Sequence, residues 1–221
     1  MVHQLTFHRE IDKLKQKFMV LGSIVEDRVQ KACLAIQSRD EDLVTEIIGS
    51  DWEIDDMEIE VEEECLKILA LHQPVARDLR LLIAIIKINN ELERIADIAV
   101  NIAKRVQTIR KESNLSFNIV DYQPMVGLVQ QMFKMGLDAL VLEDAEKARR
   151  IFLLDDEVDS LRNQAYKAVI RELNAETGHA ACLINLYLLS RHLERMGDRV
   201  TNIAEEVIYL VEGEIVRGES G

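Results

Sequence analysis

The 221-residue chain carries 40 acidic and 27 basic residues, which gives it a formal net charge of -13. Nucleic acid and anionic lipid surfaces would repel such a protein, so neither is expected as its main partner, whereas metal ions and basic protein surfaces suit it. The hydrophobic content of 48% is enough for a substantial core, and the low counts of aromatic residues, glycine and proline are typical of an all-helical protein.

Cys33, Cys65 and Cys182 lie within helical patterns and form no CxxC motif. An odd number of isolated cysteines indicates reduced core residues in a cytoplasmic protein. The longest uninterrupted apolar run, 81–86, is far shorter than the roughly 20 residues that a membrane span requires. We therefore expect a cytoplasmic protein without membrane insertion.

Apolar residues recur at every third or fourth position in six successive segments, which predicts six amphipathic helices. In the first segment this spacing holds from Ile11 to Ile36, so the first helix should be unusually long. Asp40 is a candidate N-cap for the second helix, and Pro74 ends that helix. The polar stretch 113–118 is a linker-like break between the third and fourth helices. The predicted helices cover roughly residues 5–38, 40–71, 75–111, 119–142, 144–174 and 179–212.

The sequence contains an internal duplication. ELERIADIAVNIA at 91–103 aligns with HLERMGDRVTNIA at 192–204 at an offset of 101, and DWEID at 51–55 aligns with DDEVD at 155–159 at an offset of 104. The change in offset places a short deletion between the last two helices. The duplication predicts an all-α protein built from two similar three-helix bundles in tandem, with antiparallel helices. The two bundles span residues 1–113 and 118–213.

Each half carries acidic residues at helical spacing. Glu93, Asp97 and Asn101 are spaced i, i+4 and i+8, so they form a ladder of oxygen ligands on one helix face. Asp51 and Asp55 lie on the preceding helix, which a short turn makes an antiparallel neighbour, so the two acidic faces can meet. The second half repeats these positions as Asp155, Asp159, Glu194, Asp198 and Asn202.

Carboxylates four residues apart on a helix repel each other by roughly a few tenths of a kcal/mol, so facing ladders need a compensating cation. Arg94 and Arg195 are candidates, and a single ExxxD motif in so charged a chain is usually only a solvated acidic face. The recurrence of the motif in matching places favours bound metal instead. Carboxylate and amide oxygens suit hard cations such as iron, manganese or magnesium, and zinc also binds carboxylates. The candidate ligands are Asp51, Asp55, Glu93, Asp97, Asn101, Asp155, Asp159, Glu194, Asp198 and Asn202.

The sequence lacks the common motifs of catalysis. It has no Gly-rich phosphate loop, no GxSxG motif and no paired Cys and His, and its one Glu-x-x-His string, 176–179, falls in a predicted turn. His192 lies off the face that carries Glu194 and is interpreted as a surface or capping residue. Trp52 is expected to pack in the core or between the bundles. We expect no enzymatic activity.

QPVARDLRLLIAIIKINNELERIADIAVNI at 73–102 and RHLERMGDRVTNIAEEVIYLVEGE at 191–214 resemble the PhoU family of phosphate-signalling proteins, and the resemblance covers essentially the whole chain. It implies a cytoplasmic regulator that represses the phosphate-starvation response when phosphate is plentiful. It also implies two partners, the ATPase subunit of the phosphate ABC transporter and a PhoR-type sensor histidine kinase, and a homodimer. Several family members bind metal, often as iron clusters, at the repeated carboxylate motifs, so the resemblance implies metal, iron before others, at the ten positions named above.

Arg162 and Tyr166 stand where the first half has Glu58 and Glu62, which predicts fewer ions or a different ion at the second site. Two other functions fit the same residues. A carboxylate-bridged metal storage or redox protein would use the same ligands and would need an open coordination position. A structural helical adaptor would need no metal, so metal content followed by an oxidation assay distinguishes the three.

Overall fold

The computed structural model describes residues 2–50, 52–112, 119–175 and 179–216. These residues form seven α-helices and no strand, which confirms the predicted all-α fold. Each end of a predicted helix lies within about four residues of an observed helix end. The helices are α1 (Val2–Ser38), α2 (Glu41–Gly49), α3 (Trp52–His72), α4 (Ala76–Glu112), α5 (Gln123–Leu142), α6 (Ala145–Ala175) and α7 (Ala180–Glu212).

The second predicted helix is interrupted and forms both α2 and α3. Ser50 follows the end of α2, where its backbone N–H and its hydroxyl both donate to the carbonyl oxygen of Glu46. Arg28 of α1 is 4% exposed and donates to the carbonyl oxygens of Ile47 at 3.4 Å and Ser50 at 2.8 Å. An uninterrupted helix would pair these carbonyls with its own N–H groups. A buried guanidinium therefore supplies hydrogen bonds that the backbone gives up at the break.

Two boundary signals act as predicted. The carboxylate of Asp40 caps α2 and accepts hydrogen bonds from the N–H groups of Asp42 at 2.9 Å and Leu43 at 3.4 Å. Pro74 lies in the break between α3 and α4, where Gln73 and Ala76 take positive φ values of 47° and 49°. These left-handed residues reverse the chain in a few positions, so α3 and α4 become antiparallel neighbours.

The two halves meet through matching helices. In the first half, α4 packs against α1, α2 and α3, and in the second half α5, α6 and α7 pack on one another. Between the two halves, α4 packs against α7, and α1 packs against α5. Lys87 pairs with Glu206 at 2.8 Å, and Arg105 donates to Asn185 at 3.1 Å, so α4 and α7 run antiparallel. The predicted boundary between the bundles, 113–118, lies outside the described residues, and the division at residues 113 and 118 stays a prediction.

Glycines allow α5 to approach its neighbours closely. An ideal Cβ at Gly22 of α1 would lie 3.3 Å from a methyl carbon of Leu137, and one at Gly136 would lie 3.2 Å from Cγ1 of Val200 in α7. Of the helices in the described ranges, α5 is long and apolar enough to cross a membrane, although no uninterrupted apolar run in the sequence suggested it. Half of this helix is buried inside the protein, so its composition is explained by its position in the core.

Two interpretations of single side chains were wrong. Trp52 is 65% exposed at the start of α3. His192 is only partly exposed, and both of its ring nitrogens are buried without a hydrogen-bond partner among the described residues. Burial, together with the positive charges of Arg105 and Arg195, lowers the pKa of His192 to about 4, so the ring is neutral. Arg105 belongs to α4, so the contact of α4 with α7 contributes to this environment, and no pattern within one helix reveals it.

Replacing Arg28 with methionine should destabilise the protein by about 1–3 kcal/mol, because the carbonyl oxygens of Ile47 and Ser50 lose the hydrogen bonds that Arg28 donates. Urea unfolding followed by circular dichroism measures the change. Lys67→Met is the matched control, because Lys67 pairs with Glu64 on the surface and such pairs contribute about 0–1 kcal/mol. Equal losses in the two variants would contradict this role for Arg28.

Candidate functional site

The structure brings four predicted ligands of the second half together. Asp155 and Asp159 of α6 interact electrostatically with Glu194 and Asp198 of α7. Asp155 lies directly against the backbone of α7, since an ideal Cβ built on Gly197 would be only 2.9 Å from its Oδ1. A side chain at position 197 would displace this carboxylate. Because glycine has no side chain, the acidic faces of the two helices can meet.

Asp155, Glu194 and Asp198 of this cluster resist ionisation. Burial, followed by the negative charges of Asp198 and Asp159, raises the pKa of Asp155 to about 7. Burial also raises the pKa of Glu194 and of Asp198, with further contributions from neighbouring carboxylates. A positive charge placed among these groups would relieve the repulsion and favour their ionised forms.

Two arginines supply part of that charge, and they are not those that the sequence suggested. Arg191 of α7 makes a short hydrogen bond to Glu194 Oε1, and Arg162 of α6 lies 3.6 Å from the same oxygen and 3.5 Å from Asp159. Glu194 is only 4% exposed, and its buried Oε2 has no hydrogen-bond partner among the described residues. Arg195 is exposed and makes a smaller contribution. The cluster is therefore partly neutralised, with one buried carboxylate oxygen left over.

In the described part of the first half, the carboxylates have less opposing charge. Burial raises the pKa of Glu93, and Asp97, Asp55 and Glu58 raise it further, while Arg94 opposes them. These interactions place the α3 carboxylates beside the α4 ladder, as the spacing predicts. Asp55, Asp97 and Asn101 are exposed, and Asp51 lies outside the described residues.

Glu58 belongs to the first cluster although the candidate ligands omit it. Its pKa is raised by burial and then by Glu62 and Asp55. Glu58 follows Asp55 by three residues, so the spacing already places it on the same helical face, although it is left out of the candidate ligands.

A groove of about 390 Å³ opens where α3, α4 and α7 meet. Asn202, predicted as a ligand of the second half, lines this groove together with Glu58 and Glu62 of the first half. Asn202 of the second half therefore shares a groove with carboxylates of the first half. The remaining lining residues are Ile86, Lys87, Asn90, Glu91, Glu205 and Glu206.

The fit of these residues to a metal ion is incomplete. Within the described ranges, which leave out Asp51, no three His, Cys, Asp or Glu side chains form a group that could hold an ion. The donor atoms are nevertheless of the type that hard cations bind, and Glu194 Oε2 has no other partner. An ion would have to draw neighbouring carboxylates inward by changes of side-chain rotamer. Metal at these positions stays a prediction.

Fold and site together define a duplicated all-α protein in which both halves carry paired carboxylate faces. A family model for the PhoU domain matches this chain twice, at residues 18–106 and 123–207. The chain belongs to the PhoU family.

The chain is 32% identical over 211 residues to the phosphate-specific transport system accessory protein PhoU homolog of Clostridium acetobutylicum, covering 95% of this chain and 96% of that protein. It is 34% identical over 211 residues to the PhoU homolog of Pseudomonas aeruginosa, covering 96% and 87%. The crystal structure of PhoU from Pseudomonas aeruginosa superposes with a TM-score of 0.89 at 32% identity, covering 94% of this chain and 100% of that one. A regulatory PhoU protein of the phosphate transport system from Streptococcus pneumoniae superposes with a TM-score of 0.86 at 31% identity, covering 96% and 99%.

Asp155→Asn should make stability less dependent on pH. The pKa of Asp155 is about 7 in the folded protein and about 3.9 in an unfolded chain, so the folded state binds the extra proton between these values. Stability should therefore fall as the pH rises through this window, and asparagine should remove the fall. In urea unfolding with chelator present, we expect the free energy of unfolding of the variant to rise relative to that of the wild type between about pH 5 and about pH 8. Glu157→Gln, at an exposed position of the same helix, should show no such change in relative stability; a parallel change there would contradict the assignment.

Proposed function

We propose that this protein is a cytoplasmic regulator of phosphate uptake and of the phosphate-starvation response, and that it acts by docking rather than by catalysis. The observation that carries the proposal is the match to the PhoU domain in both halves. Relatives that align over nearly the whole chain are named as accessory proteins of phosphate-specific transport systems. A regulatory role in the same process is the function that these similarities support best.

The proposed partners are the ATPase subunit of the phosphate ABC transporter and a PhoR-type sensor histidine kinase. The net charge of -13 supports docking to basic surfaces on these proteins. Because attraction between opposite charges mainly speeds association and is screened by salt, complex formation should weaken as the salt concentration rises. The expected homodimer belongs to the same proposal, and sedimentation velocity tests it.

Metal binding at the carboxylate clusters is the second part of the proposal, with iron as the first candidate and zinc, manganese or magnesium as others. In the first half the ion would be held by Glu93, Asp97, Asp55 and Asp51, with Asn101 nearby. In the second half Asp155, Asp159, Glu194 and Asp198 would hold it, with Asn202 at the groove. A bound cation would supply positive charge that relieves the repulsion between these side chains and fixes neighbouring helices relative to one another.

Replacing Glu93 and Asp97 together with alanine should remove the first metal site and leave the second, because sites on separate bundles behave additively. Elemental analysis of protein purified without chelator gives the metal content per chain. Glu194→Ala with Asp198→Ala is the matched variant in the other half.

Loss of all metal, or of none, in either double variant would contradict two independent sites. The melting temperature provides a second readout, because a cation that binds only the folded state stabilises it. Chelator should lower that temperature in the wild type. An unchanged temperature would indicate solvated acidic faces, and catalytic oxidation by the metal-loaded protein would favour the storage or redox alternative.

Deletion of the gene should switch on phosphate-starvation genes in phosphate-rich medium, because the repressing interaction is lost. A phosphate-responsive reporter measures this in the deletion strain, with the wild-type gene supplied on a plasmid as the control. Normal repression in the deletion strain, with no binding of the purified protein to the transporter ATPase or the kinase at low salt, would overturn the regulatory proposal.

A further inference from the structure

The exposed face of α3 carries a stripe of apolar side chains formed by Trp52, Ile59 and Leu66. These residues are 65%, 51% and 53% exposed, and they follow one another at intervals of seven residues. On an α-helix seven residues complete almost two turns with a drift of about 20°, so the three side chains form a nearly straight line along one face. Single exposed apolar residues are ordinary, but an aligned set that includes a tryptophan is typical of a binding surface.

The second half shows that the fold does not require this stripe. At the offset of 104 that aligns α3 with α6, Trp52 corresponds to Asp156 and Ile59 to Asn163. Both residues of α6 are exposed and polar, as expected at positions that face water. The third position retains an apolar residue, Ile170. The corresponding helix of the second bundle therefore folds with polar residues at two of the three positions, so packing within a bundle does not require Trp52 and Ile59 to be apolar.

The charges around the stripe specify the occupant. Asp56 and Glu63 follow Trp52 and Ile59 by four residues and lie on the same face, where both are exposed. Asp55 and Glu62 border the stripe on one side and are also exposed. A second copy of α3 docked here would bring acidic residues against acidic residues, which opposes self-association. A helix with lysine or arginine between its apolar residues matches this surface, because its apolar residues can contact the stripe and its basic residues can pair with the surrounding carboxylates.

We propose that the stripe of α3 binds an amphipathic, basic helix of another protein, with Trp52 as the main apolar anchor. The inference deepens the proposed docking function by assigning it a surface and a class of partner. Because the apolar contacts recur every seven residues, the partner helix would lie along α3.

A synthetic helical peptide with leucine at every third or fourth position and lysine between tests the surface directly. Trp52 is the only tryptophan of the chain, so its fluorescence emission reports burial of the stripe. We expect a blue shift on titration with the basic peptide, weaker binding as salt rises, and no shift with a matched peptide in which glutamate replaces lysine.

The double variant Ile59→Asn with Leu66→Asn should weaken binding by about tenfold or more, while keeping the wild-type helical content and the reporter Trp52. The matched control is Leu153→Asn, which removes an apolar residue of α6 that is 66% exposed. Its affinity should equal that of the wild type.

Equal affinity in the double variant, or an equal loss in the Leu153 variant, would overturn the proposal by showing that the peptide binds acidic surface in general. Sedimentation velocity provides a second test. A wild-type dimer that the double variant converts to monomer would assign the stripe to self-association and overturn it as well. These measurements do not involve phosphate, so a normally repressed deletion strain would count against the regulatory function and leave the peptide result standing.

Discussion

The antiparallel packing of α4 on α7 is the contact on which the rest of the molecule depends. Along α4, Ile95, Ala96, Ile98, Ala99 and Val100 are all buried, so almost the whole circumference of the helix is covered. Each buried side chain of valine or isoleucine size contributes about 1.5–3 kcal/mol relative to an exposed one, which makes this arrangement costly to disturb. A helix so enclosed leaves only a narrow face for polar residues, and Glu93, Asp97 and Asn101 occupy it. Burial of apolar residues at the centre thus determines where the carboxylates can lie.

The two halves use this framework with different charges. At the positions of Arg162 and Arg191 in the second half, the first half has Glu58 and Asn90. Guanidinium groups therefore compensate the second cluster from within, whereas the first cluster holds carboxylates with little opposing charge. Removing one partner from a buried ion pair is far more costly than removing one at the surface, so Glu194, with 4% exposure, depends on its arginines more than Glu93 does. The first half therefore leaves its compensation to solvent or to an external cation, since Asp55 and Asp97 are exposed.

Helix existence and duplication could be predicted from the sequence because both are encoded in regular spacing along one chain. The break after α2 could not, since it depends on Arg28 reaching across from α1 to the carbonyl oxygens of Ile47 and Ser50. The pairing of Arg162 with Glu194 and the burial of His192 also escaped prediction, because each arises from the contact of separate helices. The sequence identified the acidic residues and, among the opposing charges, Arg94 and Arg195, which make small contributions. It did not identify Arg162 and Arg191 as counterions, because the ligands of one face share a helical period, whereas these pairings depend on how the helices pack.

The stripe and the first carboxylate cluster share α3, which couples the two proposed functions through charge. Asp55 follows Trp52 by three residues, borders the stripe, and also interacts with Glu93. A cation held by Asp55 and Glu93 would reduce the negative potential that attracts a basic helix. Metal would then weaken docking, and by thermodynamic linkage docking would weaken metal binding by the same factor. The effect needs no movement of helices, because the two sites lie on adjacent faces of one rigid element and interact at short range, where salt screens them least.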